Sequence, residues 1–145
     1  NTKIKNLDNK INIDNSVLVI SEKKLSTVSK DDMSTVLSNI FKWRDAWVES
    51  DITSYLSFYA KDFKKSNGQS LKKFSKYKKR VFSKKEKKSI EFYNINIIPY
   101  PNDLNKKLYK IVMDEKYKTK THKFNGKKEL YVEILNDKIS ILTES

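Results

Sequence analysis

Apolar residues recur at Val36, Ile40, Trp43 and Trp47, at spacings of four, three and four, and Leu37 and Val48 widen the same stripe. That spacing predicts a long helix with one apolar face, leaving Lys42, Arg44, Asp45 and Glu49 mostly on the other. Ser29, Asp31 and Asp32 stand where a helix start needs a side-chain acceptor and negative charge against its unpaired N–H groups. Glu49, Ser50 and Asp51 supply a stop and a new cap. From there Ile52, Tyr55, Leu56 and Tyr59 line one side of a second helix, too short to stand unless it packs on the first. Residues 31–63 therefore predict a helix, a sharp break and a short helix. They hold both tryptophans and three of the seven phenylalanines, which makes them the hydrophobic organiser of the chain.

Asparagine and lysine dominate up to Ser16, and residues 1–15 are expected to be poorly ordered. Val17, Leu18, Val19 and Ile20 form a continuous apolar run that suits a buried strand, with a connector running to Val28. Beyond the helical pair, residues 64–70 read as a turn: Asn67 and Gly68 supply a left-handed conformation, and Asn67 or Ser70 caps a third helix. In that helix Leu71, Phe74, Tyr77 or Lys78, and Val81 share a stripe, while Lys72, Lys73, Lys76, Lys79 and Arg80 face outward.

The period then changes to two. Ile90 and Phe92 shift phase to Tyr93, Ile95 and Ile97, the pattern of a strand with a bulge. Residues 107–123 alternate, with Tyr109, Ile111, Met113 and Tyr117 on one face. Asn125-Gly126 reads as a two-residue hairpin turn, after which Leu130, Val132 and Ile134 form the partner strand. Asn136-Asp137 turns into a last strand carrying Ile139 and Ile141. Helices first and hairpin-linked strands after predict an α+β fold, three N-terminal helices packed in a curved antiparallel sheet of about four strands.

Composition narrows the class further. A chain of 145 residues, 37% apolar and 12% aromatic, suits one domain with a core of Ile, Leu, Phe and Tyr. It opens on Asn1, as a processed piece or a segment of a longer chain would, and its opening lacks the charged-then-apolar pattern of a signal peptide. No apolar run approaches the roughly 18 residues of a membrane span. The absence of cysteine excludes disulfides, zinc-thiolate sites and cysteine nucleophiles within these residues. Neither a cofactor motif nor a metal-ligand spacing is present, so no cofactor and no metal are expected. The net charge of +13 predicts attraction to polyanions: nucleic acid, anionic membrane or cell-wall polymer.

The run W-R-x-A-W-x-x-x-D-x-x-x-Y-L-x-F-Y-x-x-x-F, present as Trp43, Arg44, Ala46, Trp47, Asp51, Tyr55, Leu56, Phe58, Tyr59 and Phe63, is followed by Gly68-Gln69-Ser70 and a basic helix. This pattern resembles the nuclear transport factor 2-like domain at the C-terminal end of bacterial YkuD-type L,D-transpeptidases and L,D-carboxypeptidases. The resemblance implies a cone-shaped, SnoaL-like or cystatin-like fold over residues 31–145. It also implies that residues 1–30 are a linker and closing strand of a preceding catalytic domain. A periplasmic location and a role on peptidoglycan follow from the same likeness. The last strand departs from the family: Lys138-Ile139-Ser140-Ile141 stands where a tryptophan usually precedes the final apolar pair. The family's chemistry needs a cysteine nucleophile in a separate domain, so this chain by itself is not expected to be an enzyme.

Two sets of residues are candidates for a site. Trp43, Trp47, Tyr55, Tyr59 and Tyr117 are candidates to line a pocket in the cone, where flat rings stack on sugars and phenol tips hydrogen-bond. Stripes at helical spacing more often mean packing, and on that reading these rings are core. Lys72, Lys73, Lys76, Lys79, Arg80 and Lys84 form a basic surface; the alternative is a solvated face, because lysine is a poorer specific phosphate reader than arginine. His122 reads as a solvated hairpin residue. Asp45, Asp51, Asp62 and Asp114 are the acids available to a cone-fold enzyme, with Asp51 better placed as a cap and Asp45 as a partner of Arg44.

These readings converge on a non-catalytic accessory domain of a periplasmic cell-wall enzyme. Its expected partners are peptidoglycan or a muropeptide, the preceding catalytic domain, and a second copy through the sheet. Two alternatives stand beside it: a stand-alone cone-fold ligand-binding protein or enzyme, and a basic nucleic-acid-binding module. The last is disfavoured by the lack of any RNA-binding aromatic signature.

Overall fold

The Ser29 hydroxyl accepts the Asp32 backbone N–H at 3.1 Å and starts α1, Lys30–Val48, in a computed structural model that describes residues 18–20 and 25–145. The predicted stripe is the buried face: Val36, Ile40, Trp43 and Trp47 point into the core together with Asn39 and Ala46. Ser50, at φ 57°, breaks the helix, and the Asp51 carboxylate caps α2, Ile52–Leu56, by accepting the Ser54 N–H. The expected irregular residues 1–15 and Val17 lie outside the described residues. The predicted strand after them is the short β1, Leu18–Ile20, paired antiparallel with β2, Leu25–Thr27.

The second helix is shorter than the sequence predicts. It ends at Leu56, and Tyr59–Lys65 is a strand, β3, instead of a continued helix. Tyr59 and Phe63 both point inward four residues apart, a spacing that a strand of period two and a helix share, and Lys61 between them is exposed where the register shifts. After the turn at Gly68 (φ 90°), Ser70 caps α3, Leu71–Phe82, which buries Phe74 and Phe82. Of the two residues offered for its inner stripe, Tyr77 is 47% exposed and Lys78 turns inward.

Four long strands follow: β4, Lys88–Pro99; β5, Leu108–Thr119; β6, Lys123–Leu135; and β7, Lys138–Glu144. The sheet order is β3-β7-β6-β5-β4, with β3 parallel to β7 and the other pairs antiparallel. The sheet is thus five-stranded and mixed, where a four-stranded antiparallel one was predicted. The predicted bulge in β4 lies at Asn94 (φ 53°), one residue past Tyr93, which stays on the outer face opposite Asp114.

The β5–β6 turn also differs from expectation. It closes at Thr119–His122, where the Thr119 N–H donates to the His122 carbonyl at 2.7 Å. Asn125 and Gly126 sit inside β6 opposite Lys116 and Glu115. The Phe124 ring lies across Gly126, so close that an added Cβ would stand 2.6 Å from Cζ. The aromatic ring takes the space that marks this glycine, which here serves a strand and not a turn.

The inner face of the sheet carries Ile90, Phe92 and Ile97 of β4, Ile111 and Met113 of β5, Leu130 and Val132 of β6, and Ile139 and Ile141 of β7. It closes on α1, with Trp43 stacked on Phe92 at 5.5 Å. The Asn39 amide ties the helix to the β6–β7 turn by donating to the Asp137 carbonyl at 3.0 Å. No helix among the described residues is long and apolar enough to cross a membrane.

Candidate functional site

Tyr59 stands where α2 hands over to β3, and its hydroxyl is the meeting point of four elements. The Trp43 indole N–H of α1 donates to it at 3.1 Å, the Tyr55 hydroxyl of α2 lies 2.9 Å away, and Oε1 of Glu144 at the end of β7 lies 2.8 Å away. A phenol has one proton to give. An ionised carboxylate can only accept, so the Tyr59 proton goes to Glu144 and Tyr55 donates to the Tyr59 oxygen. Burial, followed by the negative charge of Glu144, pushes both phenols well above their ordinary value and keeps them as donors.

Glu144 is only 5% exposed, so its charge requires a partner. Lys128 of β6 supplies one, with Nζ 3.0 Å from Oε2 and 3.8 Å from Glu115 Oε1 of β5. Burial raises the Glu144 carboxyl, but the Lys128 charge and hydrogen bond, the Lys78 charge and the Tyr59 hydroxyl together outweigh it and hold it below its ordinary value. Glu115 goes the other way: burial and repulsion from Glu144 exceed the help from Lys128. The fourth charge is Lys78, whose Nζ sits 4.8 Å from the Trp47 ring centroid and 5.6 Å from that of Tyr55. Burial lowers it to about 8, against the attraction of Glu144.

The result is a cluster of two carboxylates and two ammoniums set into aromatic walls, in which Glu115, Glu144 and Lys128 pair with one another and Lys78 lies against the rings. Such a cluster rigidifies the wide end of the cone and presents its outer members, Lys78 and the rings around it, to whatever reaches that end.

Of the predicted pocket residues, Trp43 and Tyr55 are fully buried, and Trp47 and Tyr59 are each 7% exposed. Tyr117 is partly buried at the rim, 5.8 Å from Trp47 and 6.1 Å from His122 by ring centroids. Across the hairpin it faces Phe124, which is 46% exposed. Trp47, Tyr117 and Phe124 therefore form an aromatic lip beside Lys78, while Trp43, Tyr55 and Tyr59 lie beneath it. Lys72, Lys73, Lys76, Lys79, Arg80 and Lys84 are all exposed. They form no ion pair within the described residues.

The four aspartates stay away from the cluster. Asp45 pairs with Arg44 at 3.1 Å, Asp51 caps α2, Asp62 is exposed, and Asp114 takes the Asn94 amide and Lys127 on the outer face. His122 is exposed in the β5–β6 turn, its N–H donating to the Thr119 hydroxyl. The acids that do face inward, Glu115 and Glu144, and their partner Lys128, were missed from the sequence. Two of the three carried a signal: Glu115 shares the parity of Met113 and Tyr117, and Lys128 that of Leu130 and Val132. Glu144 does not follow Ile139 and Ile141 in parity, because a register shift between β6 and β7 turns it inward.

Comparison with known proteins places this geometry. The helical cell shape determining protein Pgp2 from Campylobacter jejuni superposes with a TM-score of 0.74 and 42% identity, over 82% of this chain and 42% of that one. Bdellovibrio bacteriovorus Bd1075 superposes with a TM-score of 0.70 at 22% identity, over 83% of this chain and 43% of that one. An NTF2-like protein of unknown function from Pseudomonas putida does so with a TM-score of 0.66 at 10% identity, covering 80% of this chain and 85% of that one. The last two likenesses concern the fold alone. The chain spans less than half the length of the first two. A comparison with curated proteins gave no match. Residues 35–145 match the family described as the Cds6 C-terminal NTF2-like domain, and with this match over most of its length the chain belongs to that family.

Proposed function

We propose that this chain is the non-catalytic accessory domain of a periplasmic peptidoglycan-modifying enzyme of the YkuD type, and that the aromatic lip of its cone binds cell-wall ligand. The observation that carries the reading is the 42% identity to Pgp2, a cell-shape determining protein of which the chain spans 42%. The geometry supports it in two ways. Phe124 and the partly buried Tyr117, backed by Trp47, offer flat apolar surface of the kind that stacks on sugar rings. Lys78 stands beside them as a cation for a peptide-stem carboxylate.

The buried cluster favours binding over catalysis. Tyr55, Tyr59, Glu144 and Lys128 spend their hydrogen bonds on one another, whereas a general acid or base has to reach a substrate atom. Pull-down of the chain with purified sacculi tests the proposal. Retention that is lost in Trp47→Ala and Lys78→Ala supports it, and absence of retention by the unaltered chain overturns it. Association with the preceding catalytic domain or with a second copy is the other role open to such a domain, and it is read from the oligomeric state of the parent protein with and without these residues.

A further inference from the structure

A second surface lies outside the cone. The loop after α3 and the β5–β6 hairpin converge on a groove of about 580 Å³ lined by Glu86, Lys87, Lys88, Ser89, Lys118, Thr119 and Lys120. Lys84 and Lys85 extend it on one side and Lys123 on the other, and all of these lysines except Lys88 are exposed. Lys118 and Lys123 stand directly opposite each other across β5 and β6, a placement that costs stability between like charges. The single acid is turned to local use, Glu86 accepting the Thr121 hydroxyl at 3.3 Å. Lys88 is pinned by donating to the Ser50 hydroxyl at 2.7 Å, which pulls it away from the groove's open side.

We infer that this pole docks on the headgroups of an anionic phospholipid surface. Three observations select that partner. The cations come from two separate loops and spread over a pole, as suits a diffuse array of charges better than a single threaded strand. They are all lysines, strongly hydrated point charges without the planar fork that reads an individual phosphate. An exposed ring accompanies them: Phe124, 46% exposed, follows Lys123, and apolar Phe beside lysines is the pairing that interfacial membrane-binding surfaces use. This inference shares Phe124 with the aromatic lip but rests on lysines that the wall-binding reading does not use, so a lysine variant that leaves Trp47, Tyr117, Phe124 and Lys78 in place reads the two apart.

The test is co-sedimentation of the chain with vesicles of phosphatidylcholine alone and with vesicles carrying phosphatidylglycerol, at rising salt. Binding is expected only to the phosphatidylglycerol vesicles and is expected to fall with salt. The Lys118→Glu/Lys120→Glu/Lys123→Glu variant should lose about a hundredfold in partitioning. Its melting temperature should stay close to that of the unaltered chain, because the three side chains are exposed and the reversal exchanges one like-charge pair across β5 and β6 for another. Equal partitioning to neutral vesicles, no partitioning to anionic ones, or tighter capture by single-stranded nucleic acid than by anionic vesicles would each overturn the assignment. A melting temperature unchanged by the triple variant together with unchanged vesicle binding would overturn it as well.

Discussion

The Tyr59 hydroxyl and the Glu144 carboxylate, 2.8 Å apart, join the first strand of the sheet in sequence to the end of its last, 85 residues later. Tyr59 pairs with Ile141 and reaches past it along β7, so this contact sits where α2, α1 and the sheet meet. Tyr59→Phe leaves three buried groups short of a partner: the Trp43 N–H, the Tyr55 O–H and Glu144 Oε1. The expected cost is about 2–3 kcal/mol in chemical denaturation. Tyr55→Phe removes one bond and leaves the Tyr59 oxygen still paired with Trp43, so its cost is about 1 kcal/mol. Equal losses in the two variants would contradict the placing of the Tyr59 hydroxyl at the centre of the network.

Lys128 holds two buried carboxylates at once. Lys128→Ala should therefore cost about 3–5 kcal/mol, the range for stranding a buried charge. Adding Glu144→Gln to that variant should recover part of the loss, because the stranded charge is removed. A double variant less stable than the single one would show that the charge is not what makes the loss.

The cluster also fixes how stability depends on pH. Glu144 is held below its ordinary 4.5, so it contributes stability above that value which is lost as pH falls. The deficit of Glu144→Gln relative to the unaltered chain should accordingly be largest at neutral pH and shrink in acid. Lys78, lowered to about 8 from 10.5, gives the same sign of slope in a higher window: its protonation disfavours the fold, so stability rises from about pH 8 towards 10.5. Any advantage of Lys78→Met at pH 7 should fade by pH 10, as read from melting temperatures across the series.

Much of this architecture is legible in the residues. The α1 stripe, its Ser29 cap, the Asp51 cap of α2 and the alternation of β5 follow from spacing and side-chain chemistry alone. What escapes is whatever spacing leaves ambiguous or a bulge rewrites. The spacing of four between Tyr59 and Phe63 suits helix and strand alike and hides β3, and the shift between β6 and β7 turns Glu144 inward against its parity. Asn125-Gly126 misleads for another reason: glycine in β6 makes room for the Phe124 ring, a need that local turn chemistry cannot reveal. Spacing left Tyr77 and Lys78 as equal candidates for the inner stripe of α3, because the rings that receive Lys78 come from α1 and α2, distant in sequence.

Trp47 separates packing from binding. At 7% exposure, in ring contact with Trp43, Tyr55 and Tyr117, it belongs mostly to the core, and Trp47→Ala should cost about 3–5 kcal/mol. A mild loss of stability accompanied by lost retention on sacculi would assign it to the ligand instead. Lys78→Met, which keeps an apolar stem against the rings of Trp47, Tyr55 and Phe74 and removes the charge, is the cleaner probe of the lip.

The measurement that bears most directly on the proposed role is a titration of the isotopically labelled chain with soluble muropeptides, followed by amide and indole NMR shifts. The account predicts that perturbations gather at Trp47, Lys78, Tyr117 and Phe124 and that Lys78→Ala abolishes them. Shifts confined to the outer face of the sheet, or no shifts at saturating muropeptide, would contradict it.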